Sequence, residues 1–209
     1  MNQADSYSDF VRAAEAFIIN KQFRKASELL QDSIENMPEG WKPYNEFSTH
    51  DVIFFWYQEE FLSFVEFNRL NSKKSIIWKE PSYSKARYLS AHILSEQNDF
   101  HGALREIDKG LVLEPDHPKL LCEKAFILRR LEDHTTSLIF YQKAVNARSW
   151  IVSSDKALAL RGQGFALIEL GRLDEAETVL NESLLFIPDN TDALGELAYI
   201  RKLQLKSAL

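Results

Sequence analysis

Apolar residues recur at three- and four-residue steps through four stretches, about 8–20, 84–97, 118–131 and 154–170. That period predicts amphipathic helices. Each stretch ends in a polar or glycine-containing turn: Asn20-Lys21, Asn98-Asp99, Glu132-Asp133 and Gly171-Arg172. Residues of these types stop helices. A second periodic segment follows every turn, and its beat repeats. Phe23, Ala26 and Pro38 recur as Phe100, Ala103 and Pro115, and as Leu173, Ala176 and Pro188. A weaker copy keeps His134, Ser137, Tyr141 and Ala144 but has no closing proline. The pattern is one helix–turn–helix unit of about 34 residues, repeated.

The spacing is uneven. Ser137 to Ala176 carries extra residues, which fall in Asn146–Asp155 and read as a longer loop or an added helical turn. Ala26 to Ala103 leaves room for one divergent unit at about 41–80, where 11 of the chain's 25 aromatic residues lie. His50–Asn71 reads as one long helix with Glu59, Glu60 and Glu66 on its wet side, although Val52–Tyr57 fits a strand as well. Ser72–Ser75 reads as a turn, Ile76–Trp78 as β-prone, and Pro81 as the start of the next helix. So many aromatics must be largely covered, because soluble monomers rarely show apolar patches above a few hundred Å². The expected docking surface is the second helix of the first repeat together with the helix starting near Tyr83. Trp41 and Trp56 are the candidates left over for a second interaction surface. The segment 191–205 reads as a terminal helix with Leu194, Leu197, Ala198 and Ile200 turned inward, the cap that a stack of repeats needs.

Composition narrows the function. The chain has 209 residues, 27% of them charged, with 31 acidic against 25 basic side chains. A net charge of −6 argues against nucleic-acid or anionic-membrane binding, which needs a basic surface. The longest apolar run, Val52–Tyr57, is far short of the ~20 residues of a spanning helix. The first twenty residues lack the basic start and apolar core of a signal peptide, so the expectation is a soluble cytoplasmic protein. A single cysteine excludes an intramolecular disulfide framework.

No catalytic constellation emerges. The five histidines never share the four-residue helical spacing of a metal pair. Asp116-His117-Pro118 reads as a solvated turn. Cys122 has no base nearby in sequence and reads as a packed or groove-lining thiol. Gly162-Gln-Gly164 looks like half of a dinucleotide-binding pattern, yet it lies inside a helix and lacks the third glycine. Asn181-Glu-Ser183 fits a glycosylation acceptor but falls mid-helix. The expectation is a protein with no catalytic site, no cofactor and no metal.

The repeat resembles the tetratricopeptide repeat (TPR) family. Ala14, Ala91, Ala125 and Gly164 match its small residue in the first helix of each unit. Ala26, Ala103, Ser137 and Ala176 match the small residue in the second, and the closing prolines agree. The usual tryptophan is replaced by Phe10, Arg87, Leu121 and Leu160. The run from Ile77 to Tyr83 and the segment Asn181–Ile200 are similar to a group of bacterial TPR proteins. The resemblance implies an all-α, right-handed helix–turn–helix repeat solenoid made of one domain. Its repeats would span 7–38, 84–117, 118–150 and 155–189, with the aromatic unit at 41–80 and a capping helix at 191–205.

The resemblance also implies a groove lined by the first helices. Tyr88, His92, Lys119, Cys122, Glu123, Phe126, Arg129, Arg130, Arg161, Phe165, Glu169 and Tyr199 fall on that face. His92, Phe126, Phe165 and Tyr199 recur once per unit. Lys119, Arg129, Arg130 and Arg161 would make the middle of the groove basic, suited to an acidic peptide. The alternative is that Phe126 and Phe165 are ordinary core residues. The asparagines of the carboxylate clamp known in one TPR subclass are missing. The implied function is a non-catalytic protein–protein interaction module binding a peptide segment or partner helix. The alternative is a cytoplasmic inhibitor, such as an immunity protein that neutralises a toxin enzyme, since acidic surfaces steer quickly onto basic partners.

Overall fold

A computed structural model describes residues 3–69, 74–80 and 82–207, with side chains from residue 9 to 206. Its contacts divide the chain into two compact units, Met1–Pro115 and Asp116–Leu209. Ten helices and three short strands are present among the described residues, and both units are built from antiparallel helix pairs.

The first unit holds α1 (Gln3–Ile19) and α2 (Phe23–Glu35), then α4 (Tyr83–Glu96) and α5 (Phe100–Leu113). The second holds α6 (Pro118–Arg130), α7 (His134–Val145), α8 (Ser153–Glu169), α9 (Leu173–Phe186) and α10 (Thr191–Ser207). The four expected first helices are therefore α1, α4, α6 and α8, each followed by its partner. The small residues sit where helices approach most closely. Ala14, Ala91, Ala125, Ala26, Ala103, Ser137 and Ala176 are all fully buried. Ser137 adds a hydrogen bond from its hydroxyl to the Ala125 carbonyl at 2.7 Å. In α8 a methyl group on Gly164 would lie 2.6 Å from Leu180 Cγ, and one on Gly162 only 2.1 Å from the Tyr141 ring. Both glycines are a condition of α8 lying against α7 and α9.

All four intra-repeat turns share one geometry. Lys21, Asn98, Glu132 and Gly171 have φ of 55°, 62°, 64° and 71°. The next N–H, of Gln22, Asp99, Asp133 or Arg172, donates back to the carbonyl of Phe17, Leu94, Leu128 or Leu167. This is the Schellman closure, which satisfies carbonyls that a helix end leaves unpaired. The following helix begins at once. Asp99 and Asp133 cap α5 and α7 by accepting from the Gly102 and Thr136 N–H groups at 2.8 and 3.0 Å.

The aromatic segment departs from the single helix expected over His50–Asn71. It forms β1 (Tyr44–Glu46), β2 (His50–Ile53), α3 (Gln58–Asn68) and β3 (Ser75–Trp78). β1 pairs antiparallel with β2, and β2 pairs parallel with β3 across the α3 crossover. The run Val52–Tyr57 is strand as far as Ile53, irregular through Phe55, and bent at Trp56–Tyr57 ahead of α3. Phe61 of α3 stacks on Trp78 at 5.6 Å, and Phe55 meets Phe61, Phe64 and Trp78 within 6.3 Å. These four rings form the core of the segment. Glu60 is not on a wet side. It is buried because its carboxylate accepts from the Trp56 N–H at 2.8 Å, just ahead of α3. The β-prone reading of Ile76–Trp78 agrees with β3. Ser72, Lys73 and Pro81 lie outside the described residues.

This ββαβ segment does not separate the flanking repeats, because α2 and α1 both pack directly on α4. The segment meets α4, α1 and the end of α5: Trp56 bonds with Ser84, Lys85 and Glu114, and Arg12 of α1 pairs with Glu80. Near the C-terminus, Ala193, Leu197 and Ile200 are the buried residues of α10, whereas Leu194 and Ala198 are exposed. The inward stripe thus runs one position off the expected one at its start. His117, expected in a solvated turn, is fully buried.

Candidate functional site

In the second unit the residues of interest come from α6 and α8, successive first helices that contact one another directly. Register fixes which side chains share a face. Counting from the small residues Ala125 and Gly164, Cys122 and Arg161 lie three positions earlier, and Phe126 and Phe165 one later. Lys119 and Arg129 extend the face by one helical turn to either side on α6.

Arg129 is the centre of the arrangement. Its guanidinium carbon lies 5.4 Å from the ring centroid of Phe126 and 5.4 Å from that of Phe165. Two rings from two helices therefore hold one cation, within the ~6 Å range of cation–π attraction. Its Nε is buried and has no hydrogen-bond partner among the described residues, and no described carboxylate comes within ion-pair distance of it. The two phenylalanines are half-buried, so they are neither pure core nor free surface.

The other cations are differently placed. Lys119 pairs with buried Asp155 at 3.7 Å, and Arg161 with Asp192 of α10 at 3.8 Å. Arg130 is exposed on a neighbouring side of α6. Burial holds the Glu196 carboxyl of α10 above its usual range, with Arg129 opposing and Glu169 and Asp192 reinforcing. The strip that reads as basic in sequence is thus met by acids from α8 and α10, which sequence spacing did not reveal. Arg129 differs from Lys119 and Arg161 in having no bonded carboxylate among the described residues.

Cys122 is buried, and that burial, reinforced by Asp155 and Glu123, pushes its thiol well above the ordinary range. It is a packed side chain and not a poised nucleophile. Tyr199 is 48% exposed on α10. Among the described residues no cluster of three metal-ligating side chains occurs, and no helix is long and apolar enough to cross a membrane.

In the first unit Tyr88 and His92 lie on the corresponding face of α4. Both are half-buried. Tyr88 is covered by Trp56, whose ring centroid lies 5.2 Å away. Trp56 is not an exposed second surface. It is 4% exposed, and its indole Nε1–H is shared between Ser84 Oγ and Glu114 Oε2, each at 3.1 Å. Trp41 is half-buried, edge-on to Phe54 and Tyr83 at 5.3 and 5.2 Å. The aromatics that do remain exposed in the segment are Tyr44, Phe47 and Phe67.

No family model matches the chain, and no curated protein does. Solved structures do resemble it. PilF of Pseudomonas aeruginosa superposes with a TM-score of 0.69 at 11% identity, over 98% of this chain and 72% of that one. PilW, a type IV pilus biogenesis factor, gives 0.66 at 17% identity over 97% and 71%. The first TPR domain of Spaghetti (RPAP3), bound to the HSP90 peptide SRMEEVD, gives 0.54 at 22% identity over 58% and 93%. Paired helices at a 34-residue beat, small residues buried at every close approach, one turn geometry used four times, and these likenesses agree on one architecture: the chain has the all-α helical-repeat fold of the tetratricopeptide repeats.

Proposed function

We propose that the chain is a non-catalytic peptide-binding module, and that its binding face is the first-helix face of α6 and α8. The observation that carries this reading is Arg129, a cation held between Phe126 and Phe165 with no bonded carboxylate among the described residues. A guanidinium already oriented by two rings loses little freedom when it meets an anion, and its fork suits a carboxylate. The bound segment is therefore acidic: a glutamate or aspartate side chain, or a terminal carboxylate, reaches Arg129. Phe126 and Phe165 cover its apolar neighbours. The acidic peptide carried by the RPAP3 structure is in keeping with that chemistry. Asp155 and Asp192 already engage Lys119 and Arg161, so these two cations orient the face and contribute less to affinity.

The test is selection of binders to the full chain from a random peptide library, followed by titration calorimetry on the winners. The expected winners carry Asp, Glu or an essential free C-terminus. Arg129→Ala should weaken them by on the order of tenfold to a hundredfold, the value of a hydrogen bond to a charged group. Winners without an acidic group, or with affinities indifferent to Arg129→Ala and Phe165→Ala, would place the binding surface elsewhere.

A further inference from the structure

The repeat register gives the aromatic segment of the first unit a role. In the second unit the proposed binding face is made by Lys119, Cys122 and Phe126 on α6, and by Arg161 and Phe165 on α8. Lys119 stands six residues before the small residue Ala125, and in α4 the matching position is Lys85, six before Ala91. Cys122 and Arg161 correspond to Val11 in α1 and Tyr88 in α4. Phe126 and Phe165 correspond to Glu15 and His92.

Three of these equivalents meet the segment directly or through one partner. The Lys85 ammonium donates to the Trp56 main-chain carbonyl at 3.1 Å and to Glu15 at 2.9 Å. The Trp56 indole packs on Tyr88. Val11, Glu15 and Lys85 line one cleft with Phe55, Trp56 and Tyr57. The chain from Phe54 to Tyr57 is neither helix nor strand; it bends at Trp56 and Tyr57, and Tyr57 itself has φ −157° and ψ 168°. A side chain buried in an aromatic seat and a main-chain carbonyl held by a lysine are how a peptide segment is gripped.

We infer that Phe54–Tyr57 is a built-in ligand of the first unit. It fills the face that the second unit leaves for a partner, and it closes that face to other peptides until it is displaced. The occupant that displaces it has the same chemistry: a non-helical segment presenting one large aromatic side chain. The Trp56 indole bond to Glu114 and Ser84 is the latch. This inference rests on reading first-helix faces as binding faces, but it concerns α1 and α4 and not Arg129.

The probe is a fluorescein-labelled peptide of residues 52–60, followed by anisotropy with the full chain. Trp56→Ala should bind it at least tenfold tighter than the wild type, and Trp56→Ala with Tyr88→Ala should lose that gain. Equal affinity of Trp56→Ala and wild type would overturn the inference. Loss of binding on Arg129→Ala with no response to Trp56→Ala would also overturn it, while leaving the α6–α8 face standing. Should Trp56→Ala fail to melt cooperatively, hydrogen exchange on the wild type decides. Excess peptide should speed exchange of the amides from Phe54 to Phe61 and leave those of α8 unchanged. No acceleration at any peptide concentration refutes displacement.

Discussion

Gly162→Ala offers a test of the packing argument in which two effects have opposite signs. In an exposed helix interior the change would stabilise by about 1 kcal/mol, because glycine is the poorest helix former after proline. Gly162 is in the interior of α8 but buried. An added Cβ would lie 2.1, 2.4 and 2.5 Å from Cε1, Cζ and Cδ1 of Tyr141. Carbon atoms rest about 3.5–4.0 Å apart, so the ring must retreat by more than an ångström. Tyr141 is only 5% exposed and has little room to retreat. Overpacking of this kind costs roughly 1–3 kcal/mol, occasionally more. With the contact this short, the upper end applies, and the net loss is about 2 kcal/mol after the propensity gain. The control is Gly195→Ala in α10, where nothing lies within 4 Å of the new methyl. It should gain about 1 kcal/mol. Each kcal/mol moves the melting temperature by roughly 2–4 °C in a chain of this size. Circular dichroism melts should therefore move in opposite directions. If both variants melt higher than the parent, α8 does not lie against α7 as described, and the close-approach argument fails.

Two further outcomes follow from other parts of the fold. Glu132 holds a left-handed φ of 64° that glycine adopts without strain. Glu132→Gly should thus stabilise by about 1 kcal/mol, seen as a higher melting temperature, whereas Glu132→Ala should not. Glu106 of α5 is buried enough to oppose ionisation, yet hydrogen bonds from Lys109 and Arg87 hold its carboxyl below the usual 4.5. A depressed folded value means that its contribution is present above the unfolded value and is lost as pH falls through the folded one. Denaturant midpoints should show the parent's advantage over Glu106→Gln at pH 7 and its disappearance well below pH 4.5. An advantage that persists in acid would dissociate Glu106 from the α4–α5 ion pair.

The helical repeats were legible because helix pairing writes itself locally. A small residue at each close approach, a turn residue able to take positive φ, and a proline after the second helix all lie within one 34-residue window. The aromatic segment was not. Val52–Tyr57 is apolar at every position, so it shows no period, and length alone does not divide strand from helix. What divides it is Glu60, whose carboxylate takes the Trp56 N–H, and Glu114, which receives the indole from 58 positions away. A glutamate read for its charge looks wet, and only the fold reveals the donors that justify burying it. The candidate face was legible as a set of residues but not in its electrostatics. Phe126, Arg129 and Phe165 could be put on one side by counting turns. Asp192 and Glu196 come from α10, whose placement no local pattern dictates.

The direct seating of α2 on α4 has a kinetic consequence. These helices are neighbours in space, but the sheet segment lies between them in the chain. Bringing them together closes a loop of roughly 50 residues, against about 7 between α7 and α8, an entropic difference of about 2 kcal/mol. On rates, that is roughly thirtyfold. The C-terminal helix pairs should therefore associate first during refolding. α1 and α2 should wait until the sheet has formed and shortened the path. The aromatic core around Phe55 is then a step in assembly as well as a part of the finished structure, and a chain that misplaces it would leave its first repeat unattached.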